Sequence, residues 1–234
     1  MTAQPLALVT GIGPGTGQAL AERFAAAGYR LALLSRNAGR LEAVAGRLTG
    51  AEAFVCDVAD EQALAATLDA VKSVMGTPKV VVHNAVGGAF GNFLEVDPEV
   101  LAANFRINCM ALLQIARAFV PDMIAGGGGA LIATGNTSAY RGKAGFAGFA
   151  PSKAAQRILL ESIASHAGPL GVHAAYVAID AVIDVPWTRK LAPDKPDAFF
   201  ARPADIAEEV FRIAHQPPSA WSFESVIRPF GEAW

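Results

Sequence analysis

Cysteine is almost absent from this chain: Cys56 and Cys109 are its two copies in 234 residues. Both fall on segments that read as buried, so reduced core thiols are expected rather than a disulfide framework. Histidine is scarce as well, and its four scattered copies offer no metal-ligand spacing with the cysteines. Charge of either sign is sparse at 17% of residues, and 19 basic against 21 acidic side chains leave a net charge of −2. No basic tract suggests a nucleic-acid partner. No run of eighteen or more uncharged apolar residues occurs, so no membrane span is expected. Met1–Pro5 leads into a strand with no signal-peptide pattern, which points to a cytoplasmic protein. What is abundant is apolar surface: 53% of residues are hydrophobic and the mean hydropathy is +0.34. That surplus suits either subunit interfaces or simply alanine-rich helices.

Apolar runs alternate with stretches of helical period. Strands are expected at Leu6–Thr10, Arg30–Leu34, Ala53–Cys56, Val80–His83, Ala130–Thr134, Val172–Ile179 and Ser222–Arg228. Helices are expected at Gly15–Ala27, Ala38–Leu48, Glu61–Val74, about Pro98–Ile124, about Gly148–His166 and Pro203–His215. Continuous β-branched and leucine runs suit strands covered on both faces. Strand–helix alternation then predicts an α/β fold: one Rossmann-type, doubly wound parallel sheet of about seven strands filling residues 1–234 as a single domain. Ligands of such sheets sit at the carboxyl ends of the strands, where the strand order reverses. Pro121 implies a kink in the long helix, and Gly126–Gly129 end it. The segment from about 180 to 202 holds Pro186, Pro193 and Pro196. It reads as an irregular substrate lid whose apolar side carries Trp187, Phe199 and Phe200.

Thr10 to Gly17 read Thr-Gly-Ile-Gly-Pro-Gly-Thr-Gly, a glycine-rich turn between the first strand and the first helix. Bare backbone at Gly11, Gly13, Gly15 and Gly17 lets a pyrophosphate approach. The helix that starts near Gly15, with Thr16 in its first turn, offers free N–H groups and a positive dipole end. A tight structural turn is the bland alternative. Further on, residues 149–153 read Phe-Ala-Pro-Ser-Lys. Together these segments resemble the short-chain dehydrogenase/reductase family, and the likeness runs through Glu224–Pro229. It implies an oxidoreductase that binds a nicotinamide dinucleotide, takes a small-molecule substrate and assembles as a homodimer or homotetramer.

The adenosine end is read after the second strand. An acidic residue there would hold both ribose hydroxyls and mark NAD. Ser35-Arg36 stands there instead. Arg36 can pair with a 2′-phosphate and stack on adenine, so NADP(H) is favoured and NAD(H) is the alternative. A solvated Arg36 is the other possibility. The resemblance makes Asp57, with Val58 beside it, the partner of the adenine amino group; otherwise Asp57 is a loop residue capping the next helix. It also makes Asn84 and Ala85 lining for the cofactor ribose, Lys153 a ligand of the nicotinamide ribose, and Val182 a brace for the carboxamide. His83 reads as a packed strand-end residue.

The family's catalytic set is Asn, Ser, Tyr and Lys. Asn108 matches the first, either as a water-holding relay residue or as a helix-interior side chain bonded to backbone. The Ser position, thirteen before the Tyr, is Asn136, with Thr137 and Ser138 close enough to restore a hydroxyl. The Tyr position is Phe149, whose ring has no proton to exchange. Lys153 is retained. Tyr140 is the nearest phenol and a weak substitute acid. Asp184 replaces a family Thr near the nicotinamide, where it would favour an oxidised ring or face solvent. Phe90, Phe93, Phe146 and Trp187 are expected to line an apolar cleft. Two main functions stay open: an NADP(H)-dependent oxidoreductase whose proton comes from Asn136, Ser138, water or substrate, and a nucleotide-binding protein without turnover. A lyase or isomerase on the same scaffold is a third.

Overall fold

The computed structural model describes residues 4–231, so the reading of Met1–Ala3 and the last three residues lie outside it. The chain alternates as expected: β1 (Leu6–Thr10), α1 (Thr16–Ala26), β2 (Arg30–Ser35), α2 (Ala38–Ala45), β3 (Ala51–Val55), α3 (Glu61–Met75) and β4 (Val80–His83). Then come α4 (Pro98–Phe105), α5 (Ala111–Ala125), β5 (Gly129–Gly135), α6 (Ala150–Ala167) and β6 (Val172–Ile179). The rest is β7 (Val182–Ile183), α7 (Pro186–Leu191), β8 (Phe200–Ala201), α8 (Pro203–Ala214) and β9 (Glu224–Ile227). Seven strands form one sheet in the order β3-β2-β1-β4-β5-β6-β9, and each pairing is parallel.

The two-residue period of a strand explains why both faces are covered. Leu6 and Leu8 of β1 join Leu34, Val81 and Leu131 on one face, under Leu68 of α3, Phe119 of α5 and Leu160 of α6. Ala7 and Val9 join Leu33, Val82 and Ile132 on the other, under Phe24 of α1, Leu41 of α2 and Val210 of α8. The order reverses between β1 and β4, which opens a crevice above their carboxyl ends.

Three segments differ from expectation. First, β3 begins at Ala51 because that residue already pairs with Leu31, and α2 stops at Ala45. Second, the long helix continues through Pro121, and a π-helical turn at Arg106–Met110 joins α4 to α5. Taken by length and composition alone, Pro98–Ala125 could cross a bilayer. Here Leu112, Ile115, Phe119 and Met123 bury its inner face against the sheet. Third, the segment expected to be irregular after β6 is ordered: β7 pairs with β8 in a separate two-stranded sheet, with α7 between them. Arg189 of α7 braces it, bonding Asp184 at 2.6 and 2.8 Å and Asp197 at 2.7 Å, with its guanidinium 4.0 Å from the centre of the Phe200 ring.

Candidate active site

Two adjoining compartments open at the crevice. The smaller, about 340 Å³, is lined by the Gly11–Gly17 turn, Ser35, Arg36, Arg40, Asp57, Val58, Asn84 and Ala85. The larger, about 710 Å³, is lined by Asn136, Phe149, Lys153, Val182, Phe90 and residues of the segment after β6. Thr16, Asn84, Val86, Ile183 and Trp187 border both.

Three of the turn's four glycines have distinct reasons. Gly11 has φ +74°, and a Cβ there would sit 2.6 Å from the Ala85 backbone. A Cβ at Gly17 would overlap the Gly11 carbonyl oxygen. These two let the turn fold against its neighbours, so close packing, rather than pyrophosphate approach alone, requires them. Gly13 differs: a Cβ there would meet nothing nearer than 4.0 Å, so its bare backbone leaves open space in the compartment. Thr16, at the uncapped start of α1, is buried, and its Oγ1 has no hydrogen-bond partner. Such an orphaned hydroxyl at a helix N-terminus fits an anion. Ten residues past Arg30's strand start, sequence reasoning missed Arg40. It lies in the first turn of α2, just past Ser35-Arg36, and that nearness to the expected ribose end was the available signal. Asn37 caps α2 by accepting the Arg40 N–H at 2.9 Å. The Arg36 guanidinium lies 3.7 Å from an Asp57 carboxylate oxygen, and Asp57 also accepts the Ala59 N–H at 3.0 Å.

The floor between the compartments is a fixed polar strut. His83 is fully buried, as the strand-end reading expected. Its Nε2 lies 3.0 Å from the Ile107 carbonyl, which accepts, so Nε2 carries the proton. The Thr10 hydroxyl then donates to Nδ1 at 3.0 Å and accepts the N–H groups of Asn84 and Ala85 at 3.1 Å each. Burial first, and the Lys153 charge second, push the His83 imidazolium down to about 4, so the ring is neutral at pH 7. The Asn84 side chain donates to the Gly11 carbonyl at 3.1 Å and accepts from the Thr134 hydroxyl at 3.0 Å.

The remaining predicted residues divide. Asn108 lies in the π-helical turn and lines neither compartment: it donates to the Gly87 carbonyl at 2.8 Å and to Ser152 Oγ at 2.9 Å, and accepts the Gly87 N–H at 3.1 Å. Ser138 also lines neither; its N–H donates to Asn136 Oδ1 at 3.1 Å. Asn136 itself faces the larger compartment. Phe149, at the N-cap of α6, forms its wall, packed so closely on Gly88 that a Cβ there would lie 2.9 Å from the ring. Lys153 follows one turn along, with Nζ 6.0 Å from the Phe149 ring centre.

Three expectations need correction. Tyr140 packs beneath the Arg157 guanidinium, where burial and Glu224 push its phenol up; it lines neither compartment. Asp184 is held by Arg189, which lowers its carboxyl below the usual range, and it too faces neither compartment. Phe93 is exposed outside the cleft, and Phe146 stands behind Phe90, ring centres 5.2 Å apart, rather than on the wall. Asp180 has a role that no local pattern signals: it accepts from the Thr137 hydroxyl and, at 2.5 Å, from Arg228, and so ties the Asn136 loop to the ends of β6 and β9.

A doubly wound sheet with a glycine cradle at its switch point defines a dinucleotide-binding class. The short chain dehydrogenase family matches residues 5–195, and the chain belongs to that family. It is 32% identical over 164 residues to the D-erythrulose reductase of Gallus gallus, covering 70% of this chain and 65% of that protein. It is 26% identical over 241 residues to the 7alpha-hydroxysteroid dehydrogenase of Escherichia coli K12, covering 96% and 92% of the two chains. Its backbone superimposes on an alcohol dehydrogenase from the archaeon Thermococcus sibiricus, complexed with 5-hydroxy-NADP, with a TM-score of 0.88, 25% identity and 99% of both chains covered.

Proposed function

We propose that this protein binds NADP(H) and moves a hydride between it and an apolar carbonyl or alcohol, by a proton path different from the usual one. The observation that carries the reading is the smaller compartment. Its orphaned Thr16 hydroxyl and the open space at Gly13 suit a pyrophosphate, and Arg36 and Arg40 together suit a ribose phosphate. Asp57, Val58 and Ala85 line the smaller compartment, Asn84 borders both and Val182 lines the larger, an arrangement that supports adenine, ribose and nicotinamide lying in that order. When bound, the dinucleotide supplies the hydride; the protein orients it and excludes water.

The larger compartment favours apolar substrates. Phe90, Phe149, Ile179, Leu191 and Phe199 line it, and among the described residues no carboxylate does. Such walls suit a compound like those named for the steroid dehydrogenase relative better than the polyol-like compounds named for the erythrulose reductase. The segment 180–202 serves as a lid, since Trp187 and Leu191 border the compartment while remaining well exposed. A titration followed by tryptophan fluorescence tests the reading: NADPH is expected to bind at least about tenfold tighter than NADH, the difference one charge-assisted pair supplies. Absence of NADPH binding at millimolar concentration overturns it.

A second reading, nucleotide binding without turnover, is favoured by two residues. Phe149 has no exchangeable proton, and Asn136 commits its carbonyl oxygen to Ser138. NADPH binding with no reduction across a broad set of ketones, aldehydes and enones would establish it in place of the first.

A further inference from the structure

Among the described residues that line the larger compartment, Lys153 is the one with a titratable side chain. Of the hydroxyls there, Thr134 donates to Asn84 and Thr188 shares its proton between the carbonyls of Ile183 and Val185, while the unpartnered Thr16 hydroxyl belongs to the α1 N-terminus and has no proton to exchange near neutral pH. Lys153 is buried at 2% exposure, and its Nζ donates to the Gln156 carbonyl oxygen at 2.9 Å and to the Thr134 carbonyl at 3.3 Å. An ammonium has three N–H groups, so one is left over beside the compartment. Gln156 is itself fully buried, and its Nε2 has no partner. It lies three residues from Lys153 on α6, on the same face of the helix. A buried amide with half its capacity unmet is costly, and its single bond goes to this lysine.

We infer that Lys153, positioned by Gln156, is the group that gives the proton directly to the substrate oxygen in reduction and takes it back in oxidation. The inference rests on the oxidoreductase reading above. In the reducing direction the carbonyl carbon gains the hydride that the reduced nicotinamide supplies, and the oxygen gains a proton from Nζ. The products are the alcohol, the oxidised dinucleotide and a neutral amine, which regains its proton from solvent. Burial, opposed by no carboxylate partner, pushes the Lys153 ammonium down to about 7, where an acid–base group is most effective at neutral pH. The ionisable groups on the elements around it do not compete. His83 on β4 is held neutral, Tyr176 on β6 bonds the Asn136 backbone, and Asp180 and Asp184 are bound to Arg228 and Arg189.

The test uses the whole chain labelled with [ε-13C]lysine, with the Lys153 signal assigned by its loss in Lys153→Arg. The signal is expected to titrate near neutrality, and Gln156→Glu, an isosteric change that adds a negative neighbour, to move the midpoint up by at least about one unit. The acid–base limb of acetophenone reduction with NADPH should move by the same amount. Lys153→Arg keeps the charge but holds its proton; with NADPH saturating, so that any change at the expected ribose contact is compensated, turnover should fall at least about 100-fold. Lys153→Met repeats the turnover measurement should the arginine not fit. Turnover retained within tenfold in both variants, or a limb that stays put while the lysine midpoint moves, overturns the inference and leaves the oxidoreductase reading intact. NADPH binding without reduction of any ketone overturns the inference and favours the second reading; no binding overturns both.

Discussion

Above β1 and β2 the cleft is shaped by missing side chains, while above β5 and β6 it is shaped by the side chains present. In the first half, Gly11 and Gly17 let the turn fold onto Ala85 and onto itself, Gly13 leaves open space, and the groups offered to a ligand are a helix end, one hydroxyl and two arginines. In the second half, Phe149 leans on Gly88, the Asn136 loop is tied through Thr137 to Asp180, and Lys153 is held by Gln156. Backbone geometry tolerates little change, because a Cβ either fits or collides. Side-chain contacts can be rebuilt one residue at a time. The first half is therefore set by backbone geometry, and the second by packing around Asn136, Phe149 and Lys153.

Two changes test that contrast most severely. In the first half, Gly17→Val places branched carbon where the Gly11 carbonyl lies, and nothing flexible is there to move aside. Loss of NADPH binding by at least about 100-fold is expected, a cost of about 3 kcal/mol by the usual conversion, with circular dichroism showing whether the sheet survives. In the second half, Phe149→Tyr with Asn136→Ser restores a phenol and a hydroxyl on the cavity wall. Ketone reduction should rise about 10²–10⁴-fold, the value of a positioned acid–base group. A native-like affinity in the first variant, or no gain in the second, would erase the distinction between the halves.

The same division decides what the sequence could disclose. A parallel sheet covered on both faces was legible because its strands read as unbroken apolar runs between stretches of helical period, and the two helical layers bear this out. The cradle was legible because its demands are local, a few glycines between a strand and a helix. Asp180 and Gln156 were not, since their meaning comes from Thr137, Arg228 and Lys153, brought to them by tertiary packing. Tyr140, put at the cleft by nearness in sequence, and Asp184, put there by register with a family Thr, are drawn elsewhere by Arg157 and Arg189. The ordered segment after β6 was hidden because two-residue strands leave no periodicity to read.

A smaller effect separates the charged rim of the nucleotide half from its backbone floor. Arg36→Ala removes a guanidinium whose one protein partner lies at 3.7 Å, so the protein itself loses little. NADPH affinity should fall about 10- to 100-fold while NADH affinity changes less than about threefold. Equal losses for both nucleotides would place Arg36 outside the phosphate site.

The strut beneath both halves gives a pH test. His83 titrates at about 4 in the folded chain, below its ordinary 6.5, because burial disfavours its charge. Between those values the unfolded chain binds more protons, so stability rises with pH across this window. The contribution is complete above about pH 6.5 and is lost as pH falls toward 4. The melting temperature should drop through that window, and drop less in His83→Asn, whose amide does not titrate there. Parallel curves would mean that other groups govern acid unfolding.

The smallest expected effect asks whether every glycine near the nucleotide matters. Gly39 lies in α2, beside Arg40, yet a Cβ there would meet nothing within 4 Å and its backbone needs no positive φ. Alanine at this position reduces the freedom of the unfolded chain and strains nothing in the folded one, so Gly39→Ala should stabilise by about 0.5 kcal/mol and raise the melting temperature by about 1–2 °C. NADPH affinity should not change. A loss of affinity would mean that the nucleotide requires bare backbone on α2 as well as in the β1–α1 turn, and would carry the backbone-defined half of the cleft out to the helix that bears Arg40.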